Sequence, residues 1–178
     1  MITIRCETPS DIAMREAILD AALGQNRLKK ASEKLRRNRL PAEKLSFVAH
    51  KANGQLAGTV RLWHVMAGAK PALLLGPLAV DTAHHGAGIG SMLMQAAIAE
   101  ARILGHGAIL LVGDEPYYQR FGFSAVHTGH LVMPAPVDPA RFLALELEKD
   151  ALSGAVGAVM AAGRLAPRKL TSSIQKAA

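Results

Sequence analysis

Residues 73–123 read LLLGPLAVDTAHHGAGIGSMLMQAAIAEARILGHGAILLVGDEPYYQRFGF. An apolar run leads into a glycine-rich turn, an amphipathic stretch, a second apolar run and a Tyr-Tyr turn. Gly86, Gly88 and Gly90 fall where strand gives way to helix. A turn of this kind aims several backbone N–H groups, and the positive end of a helix dipole, at one anion. Upstream, Gly76-Pro77 interrupts the first strand. Proline has no N–H and cannot continue a central ladder, so a bulge or splay is expected there. Splaying would free the N–H and C=O groups of Leu78 and Val80 for an extended ligand.

Two short motifs in this stretch carry a resemblance. His85-Gly86-Ala87-Gly88-Ile89-Gly90 resembles the Q/R-x-x-G-x-G/A motif of the GNAT superfamily of acetyl-CoA-dependent N-acetyltransferases. Tyr118-Gln119-Arg120-Phe121-Gly122-Phe123 is similar to that family's Y-x-x-hydrophobic-G-F signature. Each alone is a weak signal. In this order, separated by one helix and one strand, the two together are specific. His85 stands where the family carries Gln or Arg, so a side-chain contribution from that position does not carry over. The backbone amides that do most of the phosphate binding are unaffected by the exchange.

The resemblance implies an α/β (α+β) fold in one domain. Its central sheet would be mixed, mostly antiparallel and twisted, flanked by helices and splayed at an acetyl-CoA site. It implies acetyl-CoA as cosubstrate and a primary amine as acceptor, with direct attack in a ternary complex. The pantetheine arm would lie along Leu78, Ala79 and Val80, and the amide of Leu78 would meet the thioester carbonyl. Ala87, Gly88, Gly90 and Ser91 match the pyrophosphate donors, within a cradle that includes His85, Gly86 and Ile89. Tyr118 matches the general acid that protonates the leaving thiolate. Its phenol, with an ordinary pKa of ~10, suits that partner. Tyr117, next to it, competes for the role. Homodimers are common in the family and remain open here.

No general base stands out. His64, His84, Glu115, His127 and a water relay are all candidates. The seven histidines are spread without metal-ligand spacing, and no metal is expected. A Rossmann reading lacks its later glycine, because Met92 and Leu93 follow Gly90. A Walker reading fails for want of Gly-Lys-Ser/Thr. A non-catalytic acyl-CoA-binding module on the same fold is the alternative function.

A chain of 178 residues, half of them hydrophobic, is long enough for one sizeable core. Its apolar runs fall short of the ~20 residues a bilayer span needs. The opening MITIRCETPSD lacks a charged region followed by an apolar core, so a cytoplasmic protein without a secretory signal is expected. The single cysteine, Cys6, excludes an internal disulfide and a cysteine zinc cluster. Its distance from the motifs in sequence argues against a covalent acetyl-cysteine intermediate.

The net charge of +7 is concentrated. Residues 27–44 carry eight Lys/Arg and two Glu, and residues 164–178 carry four basic residues and no acid. The remainder is mildly acidic. With seven aromatic residues and none interleaved with the basic run, a nucleic-acid surface is disfavoured. Segment 27–44 is expected to be a helix with a solvated rim, though it occupies the place where the resembling family shapes its acceptor pocket.

Elsewhere, Thr8-Pro9-Ser10-Asp11 marks a helix start and Asn53-Gly54 a hairpin turn between strands 45–52 and 55–66. Helix 90–104, strand 108–112, short helix 116–121, and strands near 124–127 and 141–148 follow. The domain is expected to fill residues 1–150. Residues 151–178, rich in Ala, Gly and basic residues, form a loosely docked tail in this reading.

Overall fold

The computed structural model of the chain describes residues 1–84 and 86–167. Its elements run β1 (Ile2–Cys6), α1 (Ile12–Leu23), α2 (Ala31–Arg36), β2 (Ser46–Lys51), β3 (Leu56–Ala67), β4 (Lys70–Val80) and α3 (Ile89–Ile103). They continue with β5 (Ala108–Val112), α4 (Glu115–Tyr118), β6 (Leu131–Val132), β7 (Phe142–Glu146) and β8 (Gly157–Ala161). The main path of the sheet is β1-β2-β3-β4-β5-β7. Every pair on that path is antiparallel except β4–β5, which α3 joins as a parallel crossover. This is the single mixed α/β domain that the sequence implied.

The apolar runs in β4 and β5 are continuous because both faces of the sheet are covered. Leu73, Leu75, Ile109 and Leu111 pack on one face with Ile89, Leu93, Met94, Ala97 and Ala101 of α3. Ala72, Leu74, Ala108 and Leu110 pack on the other with Leu35 of α2, Trp63 and Val159. Burying Leu93 or Met94 in full contributes about 1.5–3 kcal/mol each.

β3 is long enough to hold two partners along one side. Its first half pairs with β2, and Val65–Ala67 pair with Ala161–Val159 of β8. Here the structure differs from the sequence reading. The segment after Asp150 is built into the sheet as far as Ala161, where β8 also pairs with β6. Arg39 bridges to Leu165 beyond it. Residues 168–178 of the expected tail lie outside the described residues.

Two other expectations change. Segment 27–44 is not one helix: a 3₁₀ turn over Gln25–Lys29 ends at Lys30, whose extended backbone (ψ 151°) starts the short α2. The strand expected at 124–127 is reduced to one bridge, Ser124 to Ala144. Thr128 then turns the chain, its hydroxyl donating to the Phe142 carbonyl at 2.6 Å.

The start of α1 is held by a buried carboxylate. Asp11, 1% exposed, accepts hydrogen bonds from the Thr8 amide (2.7 Å) and hydroxyl (2.8 Å). The Arg5 guanidinium of β1 donates to both its oxygens at 2.8 and 2.9 Å, and the His50 ring nitrogen lies 3.3 Å away. The Arg5 bonds, with those from Thr8, outweigh burial and hold the carboxyl far below the usual carboxylate range. Asp11→Asn is therefore expected to destabilise the fold by about 1–3 kcal/mol at neutral pH. Because the folded-state pKa is depressed, this contribution is complete above the unfolded value near 4 and is lost as pH falls through the folded value. The gap in melting temperature between the two proteins should stay level down to about pH 5 and narrow below about pH 4. A gap that is constant down to about pH 2.5 would contradict this account.

Candidate active site

β4 and β5 part company halfway along. They pair only at Leu73–Ile109 and Leu74–Leu110, after which β5 stays with β7 as far as Val112 and β4 stays with β3. The divergence begins at Gly76-Pro77, which face β3 as a bulge: Val60 pairs with Leu78, but Leu62 pairs with Leu75. The missing N–H of Pro77 leaves no ladder bond to make there. Trp63 secures the bulge from below, its buried indole N–H donating to the Gly76 carbonyl at 2.7 Å.

Beyond the bulge, strand alternation decides what faces the gap. The Asp81 amide donates to Ala57 of the β3 side at 2.9 Å. Ala79, two residues back, faces β3 as well, opposite Thr59. The main-chain groups of Leu78 and Val80 therefore point away from β3, into the opening.

That opening is a cleft of about 650 Å³. One wall is β4 from Leu75 to Val80, and the floor runs into the glycine loop and the first turn of α3. Gly86 (φ 82°) and Gly88 (φ 75°) take left-handed conformations that favour glycine, and Gly88 is the N-cap of α3. The Met92 amide is the first to close a helical bond, onto Gly88 at 3.1 Å. Helix geometry leaves the amides of Ile89, Gly90 and Ser91 without intrahelical acceptors. Gly86, Gly88, Ile89, Gly90 and Ser91 all line the cleft, as do Leu78, Ala79 and Val80. Ala87 is exposed in the same loop but not among the lining residues, and its amide donates to His84 at 3.3 Å. His85 lies outside the described residues.

The opposite wall comes from the end of β5 and from α4. Asp114 starts α4, its carbonyl accepting from the amides of Tyr117 (3.0 Å) and Tyr118 (3.2 Å). The adjacent tyrosines then diverge. The Tyr117 hydroxyl lies where a side chain on Gly90 would stand, at the mouth of α3, and Arg120 stacks over its ring at 4.5 Å. The Tyr118 ring covers Gly113, so closely that a Cβ at that position would overlap it. It meets the ring of Phe123 edge-on at 6.1 Å. Burial, reinforced by Tyr117 and Asp114 against the opposing Arg141, pushes the Tyr118 phenol up to about 12.

The third wall comes mostly from the segment for which the sequence favoured a solvated face over a part in an acceptor pocket. Ala22 and Leu23 of α1, then Arg27, Lys30, Ser32 and Arg36, line the same cleft. Their signal in the sequence was a basic run, which more often marks a solvated face. A chain of ion pairs carries this wall: Glu7 joins Arg15 and Arg61, Arg15 reaches Glu16 (2.7 Å), and Glu16 reaches Arg27 (2.6 Å).

Of the candidate bases, only His84 lines the cleft, with Asp81 3.3 Å from its Nδ1. His64 packs near His106 at a separate cavity, His127 faces Glu146 at 3.7 Å, and Glu115 is exposed on α4. Cys6 is exposed on β1 and does not line the cleft.

This arrangement has known counterparts. Residues 13–123, most of the chain, match the family model described as the acetyltransferase (GNAT) family. The chain belongs to the GNAT acetyltransferase family. It is 29% identical over 158 residues to the uncharacterized N-acetyltransferase YhbS of Escherichia coli (strain K12), covering 88% of this chain and 93% of that protein. The crystal structure of the E. coli GNAT protein YhbS in complex with CoA superposes with a TM-score of 0.77 at 27% identity, covering 94% of this chain and 96% of that one. A GNAT acetyltransferase from Brucella melitensis in complex with acetyl-CoA gives a TM-score of 0.65, again at 27% identity and the same coverage of both chains. Among the described residues, no helix of this GNAT protein is long and apolar enough to cross a membrane.

The Trp63 hydrogen bond is expected to hold the bulge. Trp63→Phe strands a buried carbonyl and should lower stability by about 1–3 kcal/mol in denaturant unfolding. Trp63→Phe as stable as the parent would show that the bulge does not depend on the indole.

Proposed function

We propose that this protein transfers the acetyl group of acetyl-CoA to an amine by direct attack within a ternary complex. The observation that carries the reading is the gap between β4 and β5, faced by the main-chain groups of Leu78 and Val80 and ending on the free amides of α3. An extended, hydrogen-bonding ligand with a diphosphate at one end matches this shape and polarity. Acetyl-CoA supplies an activated acyl group as a thioester.

Along that path the residues divide the work. The amides of Ile89, Gly90 and Ser91 and the dipole of α3 hold the pyrophosphate, with Gly86 and Gly88 letting the backbone approach. The groups of Leu78 and Val80 pair with the pantetheine arm, as a neighbouring strand would. The Leu78 amide donates to the thioester carbonyl, where negative charge builds as the amine nitrogen bonds to the acyl carbon. The carbon–sulfur bond then breaks, and Tyr118 passes its hydroxyl proton to the departing sulfur. The elevated Tyr118 pKa keeps that proton in place across the working pH range. Tyr117 is instead committed to the mouth of α3, which favours Tyr118 for this step. The proton lost by the amine passes to water in the open cleft, and the Tyr118 phenolate takes one back from the same water.

Binding is tested by thermal shift with acetyl-CoA and CoA, using NAD and ATP as controls, and turnover by thiol release. Acetyl-CoA and CoA should each raise the melting temperature in a saturable way. Tyr118→Phe should retain that shift while kcat falls about 10²–10⁴-fold. A Tyr118→Phe variant with parental kcat would remove Tyr118 from the chemistry. A parent that binds CoA yet turns over no amine would favour a binding module instead. Cys6→Ser should keep parental turnover, as direct attack needs no thiol on the enzyme; its loss in a folded variant would point to an acyl-enzyme.

A further inference from the structure

On the wall of the cleft formed by α1 and α2, one buried guanidinium places a nitrogen, unpartnered among the described residues, beside β4. Arg36 is buried in α2, yet it lines the cleft. Its Nε and Nη2 donate to Glu33 at 3.2 and 3.0 Å. Its Nη1 has no hydrogen-bond partner among the described residues, and it lies 3.3 Å from where a Cβ on Gly76 would stand. The Gly76 carbonyl is already taken by Trp63. Neighbouring Arg27 is anchored by two carboxylates, Glu16 and Asp20, where Arg36 has only Glu33, and it is Arg36 that stands beside Gly76.

Position along β4 tells which end of the cleft Arg36 serves. In the proposed complex the pantetheine arm runs from Leu78 through Val80 to the α3 loop, so the thioester stands at Leu78 and the phosphates lie downstream. Gly76 is two residues upstream, at most about 7 Å along the strand given the bulge, ahead of the acyl group. A group bound there belongs to the acceptor and not to CoA. The surroundings favour an anion: the cleft is lined by five Arg/Lys side chains and one Asp among the described residues. Burial lowers the Arg36 pKa against the pull of Glu33, but a guanidinium stays charged at neutral pH. A second carboxylate would offset the desolvation that Glu33 only partly offsets.

We infer that Arg36 selects acceptors carrying a carboxylate a few bonds from the reacting amine, as in an amino acid, by pairing its free Nη1 edge with that carboxylate beside Gly76. This rests on the acetyl-transfer reading above. Arg36 is a specificity-determining residue in it, and Lys30 on the same wall adds to the attraction.

The test uses the full chain, acetyl-CoA, and a panel of free amino acids each matched with its carboxamide, with thiol release as readout. The carboxylate member of the productive pairs should have a kcat/KM about 10- to 100-fold above its amide, chiefly through KM. The amide's amine is the less basic and the more fully deprotonated, so protonation cannot produce that preference. Arg36→Gln should abolish the difference by raising KM for the carboxylate member, while the acetyl-CoA thermal shift and KM remain. Arg36→Lys should restore part of it. Equal rates within pairs, or faster amides, in the parent protein would overturn the inference even if Arg36→Gln failed to fold. So would an Arg36→Gln variant whose defect lies in the KM for acetyl-CoA. If no panel member releases thiol while acetyl-CoA still raises the melting temperature, the inference fails and the cofactor reading stands. Absence of that shift would instead overturn the acetyl-transfer reading, and the inference with it.

Discussion

A single missing backbone donor organises this protein. Pro77 has no N–H to give, so β4 cannot run on as an unbroken ladder, and the chain bulges against β3 at Gly76-Pro77. The Trp63 indole N–H takes up the Gly76 carbonyl that the bulge leaves inside. From that point β4 follows β3 and β5 follows β7, and the sheet opens between them. The groups to which binding is assigned above all line this opening: the edge of Leu78 and Val80, the N-terminus of α3, and the tyrosines of α4.

The opening is stable because both sheet faces are sealed elsewhere. α3 covers one face with a continuous apolar stripe, and Ala31 and Leu35 of α2 pack on the other with Leu131, Leu152 and Ala155. The cleft's basic wall is fastened to this frame by charge. The ion pairs from Glu7 through Arg15 and Glu16 to Arg27 tie the end of β1 to the segment that overhangs the gap. Arg27 is held in this wall by Glu16 and Asp20, and Arg36, whose Nη1 stands beside Gly76, is the residue proposed to meet an acceptor.

What could be read from sequence was what is encoded locally. Gly-Pro in a strand, glycines before a 3.6-residue apolar stripe, and Tyr-Tyr ahead of Phe-Gly-Phe each have a short-range physical meaning, so most strands, α3 and the glycine turn that precedes it could be placed along the chain. β8 could not, because Gly157–Ala161 has weak strand propensity and becomes a strand only against the far end of β3. The placement of segment 27–44 was left between a solvated face and the acceptor pocket for a similar reason. A basic run looks the same whether it faces solvent or overhangs a cleft, and only the packing of α1 and α2 against the sheet distinguishes them. Tyr117 and Tyr118 were likewise ambiguous until α4 sent one to Gly90 and the other over Gly113. Arg36 gave no signal of its own in sequence, since its free edge exists only because Glu33 and Gly76 meet it in space.

The edge of β4 beyond Pro77 is, in the proposed complex, a strand awaiting its ligand, and amide hydrogen exchange on single residues tests this most directly. Without CoA, the amides of Leu78 and Val80 should exchange fast while that of Ala79, bound to β3, is protected. Saturating CoA should slow Leu78 and Val80, together with Ile89, Gly90 and Ser91, and leave Ala79 unchanged. Leu78 and Val80 already protected without CoA, or unaffected by it, would contradict the account.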